Sequence, residues 1–401
     1  VVLRAIEQRF HEVFPELKGA GKERVFAVRA PGRVNLIGEH TDYNGGFVCP
    51  MAIDREMTIV GVPRGDTKIR MHSTLANQTV AFDASAEIAK DGPPWSLYAK
   101  GSVEAMRRRG KVKCGFDCLA DSSVPLGGGL SSSASFEVAT ALATLAANDE
   151  SLDRVELALA CQWAEHTYPG VPCGIMDQFI SAMGKKGYAM LLDCRDQSRR
   201  YVPLDDPNVK IVISNTNVHH ELAAGEYGKR RAQCEAAVAA IQKKHAQVAL
   251  LRDATMEMLD DARGGGDEMD DVTYRRARHV ITEIARTVDF AADLENRDYK
   301  RCGERMYSSH TSLRDDYEVS CTELDILVEI ARGVQGVYGA RMTGGGFGGC
   351  IVAIVEATAV EKLTAAIDAE YPKRTGKKAT TFATVASAGA GKLEWRPSHV
   401  V

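Results

Sequence analysis

The sequence predicts a protein of two domains, possibly three, that mixes strands and helices, and three observations carry that expectation. The chain has 401 residues, 45% of them hydrophobic, enough to fill two separate cores. Strand-like and helical runs are interspersed along its whole length. The third observation is the stretch 123–135, where Gly127, Gly128 and Gly129 are followed by Leu130, Ser131, Ser132 and Ser133. Before this stretch Phe116, Cys118 and Ala120 alternate with more polar neighbours, as in a half-buried strand; after it, residues 136–146 read as a helix. Strand, glycine loop and hydroxyl-rich helix start make an anion site. Glycines let backbone N–H groups turn toward a ligand without a Cβ in the way. The first N–H groups of a helix lack partners, and its dipole favours negative charge there. Serine hydroxyls add donors or ligate a hard cation. Three serines behind three glycines exceed what an ordinary helix cap needs.

Composition narrows the partners. Lys+Arg number 50 against 54 Asp+Glu, giving a net charge of −4, so no basic field points to nucleic acid or a membrane. The short basic runs at 107–109, 199–200 and 229–231 read as solvated faces. Ten cysteines are scattered without a CxxC pair, which suits free thiols in a reducing cytoplasm. The first residues carry neither an initiator methionine nor the apolar core of a signal peptide. No stretch is long and apolar enough to span a bilayer. A cytoplasmic protein is expected, present as a monomer or weak homodimer.

Taken in order, residues 1–14 predict a helix, with Leu3, Ile6, Phe10 and Phe14 on one face. Residues 25–28 predict a strand, Pro31-Gly32 a turn and 34–37 a second short strand. Residues 38–46 then form a polar loop that packs Glu39, His40 and Asp42 between glycines. Carboxylates and an imidazole can bind the hydroxyls of a neutral polyol; a metal site and an exposed polar turn are the other readings. Strands are expected at 56–62, 68–72 and 78–82 and a helix at 95–108. The amphipathic run 152–166 ends near Glu165, a carboxylate placed to reach a metal held by phosphate. Prolines and glycines stiffen 168–174 ahead of Asp177, which is either a helix cap or a working acid.

Strands follow at 188–192 and 209–214, with the domain boundary between them, giving domains 1–205 and 206–401. No third ligand type clusters near His219 and His220, so no metal site is expected there. A helical run passes through Tyr227, and the acidic, glycine-bearing segment 254–272 reads as a mobile surface loop. Helices are expected at 274–296, 298–311 and 322–333. Residues 344–349 satisfy G-x-G-x-x-G, but a strand rather than a helix follows, so a glycine hairpin fits better than a dinucleotide fold. Neither a Walker loop nor a protein-kinase H-R-D sequence is present.

Three of these motifs together resemble the galactokinases, within the GHMP kinase superfamily. They are residues 31–43, reading PGRVNLIGEHTDY, residues 125–135, reading PLGGGLSSSAS, and residues 344–349, reading GGGFGG. The likeness extends through 173–178 and 312–317. It implies an α+β fold, with an N-terminal domain like domain 2 of ribosomal protein S5, a C-terminal ferredoxin-like domain, and an active site in the cleft between them. It implies ATP and Mg2+ as cofactors and galactose as the small-molecule partner. By the same resemblance Arg33, Glu39, His40, Asp42, Gly174, Asp177 and Tyr227 bind the sugar. Gly127 to Ser133 hold the phosphates, and Ser132 and Glu165 ligate magnesium. Asp177 faces the C1 hydroxyl with Arg33 beside it. An arginine that close holds the carboxylate charged and weakens it as a base, but a loose transition state needs little early deprotonation. Asp177 is therefore expected to orient the hydroxyl and take its proton late. The rival readings are an N-acetylgalactosamine kinase and a silent sensor of galactose and ATP; the complete serine loop argues against the sensor.

Overall fold

The computed structural model describes residues 2–17, 25–125, 127–219, 223–264 and 269–394. The chain opens with helix α1 (Val2–Val13) and strand β1 (Phe26–Asn35). The expected turn at Pro31-Gly32 is absent: β1 runs through it, and the pairing register with the neighbouring strand shifts between Pro31 and Arg33 instead. A bulge absorbs the proline and bends the strand without ending it. Here the backbone of the glycine–serine loop comes close; a Cβ on Gly32 would sit 2.8 Å from the Leu130 carbonyl oxygen. Next come β2 (Phe47–Val48), β3 (Pro50–Pro63), β4 (Lys68–Ser73), β5 (Gln78–Asp83), α2 (Pro94–Arg107) and β6 (Phe116–Ser122). The alternation in β6 suggested one wet face, yet Phe116 to Ala120 are all buried. Asp117 is tolerated there because Arg64 and Arg70 both pair with its carboxylate at 2.9 and 2.6 Å.

Three helices follow: α3 (Ser132–Ala147), α4 (Arg154–Thr167) and α5 (Met176–Met183). Asp153 caps α4 by accepting from the Val155 and Glu156 N–H groups. The chain then forms β7 (Tyr188–Asp193), β8 (Arg199–Pro203) and the long β9 (Val209–His219). His220 lies outside the described residues. Helices α6 (Ala223–Gln242), α7 (Met256–Arg263), α8 (Asp271–Glu295), α9 (Tyr299–Asp315) and α10 (Thr322–Gly333) come next. The segment expected to be a mobile loop contains α7. Thr255 caps it and Leu259 and Ala262 are buried beneath it, so two apolar side chains anchor an otherwise acidic helix; residues 265–268 lie outside the described part. The chain closes with β10 (Val337–Thr343), β11 (Gly348–Glu356), α11 (Val360–Thr375), β12 (Thr380–Thr384) and β13 (Gly391–Lys392).

The strands make a six-stranded sheet in the order β13-β1-β3-β6-β4-β5, a four-stranded sheet β10-β11-β9-β12 and a three-stranded sheet β2-β7-β8. Helices α2, α3, α4 and α5 pack together with the first sheet over one apolar core. Helices α6, α8, α10 and α11 build a second core on the four-stranded sheet. A third cluster joins the halves: Leu36, Ile37, Met51 and Leu130 meet Ile211, Ile213, Phe290 and Val352. The α+β class is as expected. No helix among the described residues is long and apolar enough to cross a membrane. None of the ten cysteines, all among the described residues, is in a disulfide.

Candidate active site

One cavity of about 180 Å3 collects Arg33, Glu39, His40, Asp42, Glu165, Gly174, Asp177 and Tyr227. All seven candidate sugar ligands therefore meet at one place, although they come from β1, the loop after it, the start of α5 and α6. The strand brings Arg33 in. The loop 38–46 is no exposed turn: Glu39 and His40 are 2% and 5% exposed. His40 sits in the left-handed region at φ 62°, a conformation that costs a non-glycine residue and must be held by its surroundings.

Glu39 is ringed by protein donors. Gly344 N–H and Thr343 Oγ1 reach one carboxylate oxygen at 2.7 and 3.2 Å, and Asn35 Nδ2 reaches the other at 2.7 Å. Arg341, fully buried in β10, forms an ion pair with that second oxygen at 2.7 Å. Burial pushes the Glu39 pKa up and the Arg341 charge pulls it back, leaving it raised. Asp42 has far fewer partners within the protein. Tyr43 N–H donates to it at 3.0 Å. Desolvation, then the nearby Asp177 charge, lifts its pKa to about 6. Gly174 is the wall it leans on: a Cβ there would sit 1.7 Å from Asp42 Oδ2, so only glycine fits.

Asp177 lies one residue inside α5, whose capping position is Ile175. It is not a helix cap. Arg33 Nε and Nη2 donate to its two oxygens at 2.7 and 2.6 Å, and Ser131 Oγ donates to Oδ2. Arg33 also ties in the glycine loop, with Nη1 on the Gly129 carbonyl at 2.5 Å and its own N–H on the Leu130 carbonyl at 3.0 Å. The loop keeps its turn through Gly127 and Gly129, both at positive φ (67° and 68°), and Ser131 at 57°. Ser131 sits at the α3 cap position without making a side-chain cap; its hydroxyl is turned to Asp177. Gly128 packs on Gly349 and Gly129 on Gly344. The expected glycine hairpin is present, joining β10 to β11, and it backs both the loop and Glu39.

Ser132 and Ser133 open onto a second cavity of about 240 Å3, lined also by Met57, Trp95, Tyr98 and Phe136. Motif reading missed these apolar residues, because Trp95 and Phe136 read in sequence as ordinary helix-core positions. Nothing in the spacing ties β3, α2 and α3 to one cavity.

Of the two candidate magnesium ligands, Glu165 lines the first cavity and Ser132 the second, and the serine hydroxyl that reaches Glu165 is that of Ser133. Gln178 Nε2 and Cys173 Sγ donate to Glu165 at 2.5 and 3.1 Å. Burial raises the Glu165 pKa, and that of neighbouring Glu137 goes well up through burial and the Glu165 charge. Among the described residues no three His, Cys, Asp or Glu side chains form a metal cage. Hard oxygen donors beside uncompensated buried acids fit Mg2+ carried in on phosphates, which takes only one or two protein ligands.

Residues 97–185 match the family model of the GHMP kinases N terminal domain, and residues 290–373 that of the GHMP kinases C terminal domain. Fold and site together make this a GHMP kinase. Residues 9–63 match the galactokinase galactose-binding signature. The galactokinase of Homo sapiens is 47% identical over 380 residues, covering 93% of each chain. That of Roseiflexus sp. (strain RS-1) is 43% identical, covering 91% of this chain and 92% of its own. The crystal structure of Lactococcus lactis galactokinase complexed with galactose superposes with a TM-score of 0.91 at 35% identity, covering 98% of this chain and all of that one. L. major mevalonate kinase shares the fold, with a TM-score of 0.61 at 17% identity over 90% of this chain and 96% of its own. The chain belongs to the galactokinase family.

Proposed function

We infer that this protein transfers the γ-phosphoryl group of ATP to the C1 hydroxyl of D-galactose, releasing ADP and α-D-galactose 1-phosphate. The observation that carries the reading is the Arg33–Asp177–Ser131 constellation. It joins an acid-lined cavity of sugar size to a glycine–serine loop built for phosphate. In this reading Asp42, with spare acceptor capacity, Glu39, His40, Gly174 and Tyr227 hold the sugar hydroxyls. The N–H groups of 127–133 cradle the phosphates. Trp95, Tyr98 and Phe136 take the planar base of the nucleotide in the second cavity. Ser132 and Glu165 would hold Mg2+ together with the phosphates, and the ion would neutralise charge on the transferring group.

In the transfer, the C1 oxygen attacks the γ-phosphorus and the bond to the β–γ bridging oxygen breaks. The hydroxyl proton passes to Asp177. Arg33 grips both Asp177 oxygens and aims the carboxylate without spending it as a strong base. A loose transition state asks mainly for positioning and charge stabilisation, which this pair provides.

The test is ADP release with Mg-ATP and, separately, galactose, N-acetylgalactosamine, glucose and mevalonate. Release with galactose well above the others is expected. Faster release with N-acetylgalactosamine would move the assignment to that sugar. Release with none of them, despite measurable galactose binding, would contradict the reading.

A further inference from the structure

Tyr317 lies at the end of the segment 312–317, which resembles the galactokinases in sequence and to which nothing above gives a role. It is completely buried, with its ring between two imidazoles: His40 at 4.8 Å and His279 at 4.5 Å between centroids. Its hydroxyl is 2.7 Å from Tyr43 Oη and 3.2 Å from Cys234 Sγ. Tyr43 Oη in turn is 2.9 Å from His40 Nδ1, and His40 Nε2 is 3.2 Å from the Gly345 carbonyl oxygen. These contacts form one chain from Cys234 to the cavity wall.

The direction of that chain follows from its last member. A carbonyl oxygen only accepts, so His40 Nε2 carries a hydrogen. Burial, reinforced by His279, lowers the His40 pKa to about 3, so the ring is neutral and Nδ1 is bare. Tyr43 must then donate to Nδ1, Tyr317 to Tyr43, and Cys234 to Tyr317. Run in reverse, the chain would set the bare Nε2 against the Gly345 oxygen, acceptor against acceptor. The head of the chain agrees: Asn44 Nδ2 donates to Cys234 Sγ at 3.6 Å, leaving the thiol hydrogen for Tyr317. His279 supports the same loop from behind. Its Nε2 donates to the Glu39 backbone carbonyl at 3.2 Å, and its Nδ1 faces Ser312 Oγ at 2.8 Å.

We propose that Tyr317 is a positioning residue for sugar recognition: through Tyr43 it backs the Nε2–H tautomer of His40 that the Gly345 carbonyl also requires, so that His40 turns no acceptor toward the cavity. A sugar oxygen that accepts at that point shares the hydrogen already directed at the Gly345 oxygen, and a group presenting only a donor is refused. The inference rests on the reading that His40 lines the galactose site.

Three measurements test it. Nitrogen-15 NMR of the intact wild-type protein should show His40 protonated on Nε2 alone; protonation on Nδ1 would overturn the proposal without any mutant. Tyr317→Phe cuts the chain with little loss of volume. It should raise the galactose KM about five- to tenfold, the weight of one hydrogen bond to a buried group, with kcat and the ATP KM nearly unchanged. Among monodeoxygalactoses that increase should vanish for one sugar only, the one lacking the oxygen that His40 serves; an equal increase for all of them would mean simple packing and overturn the proposal. If Tyr317→Phe fails to fold, Cys234 replaces it as the probe. Cys234→Ala should raise the galactose KM and Cys234→Ser, which restores a donor, should return it toward wild type; identical behaviour of the two overturns the chain. Wild-type turnover of galactose with an unchanged KM in Tyr317→Phe defeats this inference alone. Absence of galactose turnover in the wild type defeats the function it rests on.

Discussion

The loop 38–46 and the loop 127–133 converge on the same glycine hairpin, yet they are built by opposite means. The first is fixed by side chains. Glu39 is held by four donors, among them the fully buried Arg341, and Glu283 accepts from Gly38 N–H at 3.0 Å. The second is fixed by backbone: positive-φ glycines, a carbonyl on Arg33 and glycine-to-glycine packing. A neutral sugar must be recognised hydroxyl by hydroxyl, which demands rigid polar side chains of set geometry. A polyphosphate is recognised by charge, which free N–H groups supply without side-chain precision. Asp177, Arg33 and Ser131 sit where the two modes meet.

Substitutions can break this contrast, and the largest effect is expected at the meeting point. Asp177→Asn should lower kcat by about 10²–10⁴-fold, while ATP binding measured by calorimetry stays within error of wild type. Near-normal turnover would remove Asp177 from the reaction. Next is Arg341→Met, which leaves Glu39 as a buried charge without its cation. Urea unfolding should show a loss of about 3–5 kcal/mol, and a loss below 1 kcal/mol would mean the pair is not the anchor of the loop. Gly174→Ala comes third: the added methyl collides with Asp42, so the galactose KM should rise by more than about tenfold with the ATP KM unchanged.

The smallest effect sharpens the comparison through pH. Asp42, with its pKa raised to about 6, takes a proton as pH falls through that value and then loses its capacity as a charged acceptor. The galactose KM should therefore climb below pH 6, and Asp42→Asn should flatten that climb. The sign for stability is opposite. In the window between the ordinary aspartate value and 6 the folded state binds more protons than the unfolded one, so Asp42 makes the protein less stable as pH rises. Thermal unfolding followed across that window checks it.

Much of this was legible in sequence. The glycine–serine loop, the acid-and-histidine loop and the glycine hairpin each announce themselves by residue type within a few positions. Other features hid for physical reasons. Pro31-Gly32 reads as a turn because a bulge and a turn use the same residues. Helix α7 reads as a loop because only Leu259 and Ala262 of it are fully buried. Strands β8 and β13 are short, and β13 pairs back to β1 from the far end of the chain, a contact no local pattern encodes. Arg341 and Tyr317 lie about 300 residues from the loop they support, where sequence spacing carries no information. The Trp95 and Phe136 cavity was invisible for the same reason.

This site sends phosphate to the anomeric oxygen of galactose. Phosphorus-31 NMR of the products formed from Mg-ATP and galactose tests it most directly. ADP and a single sugar phosphate monoester whose phosphorus couples to the anomeric proton of the α form are expected. A 6-phosphate, or ADP accompanied only by inorganic phosphate, would contradict it.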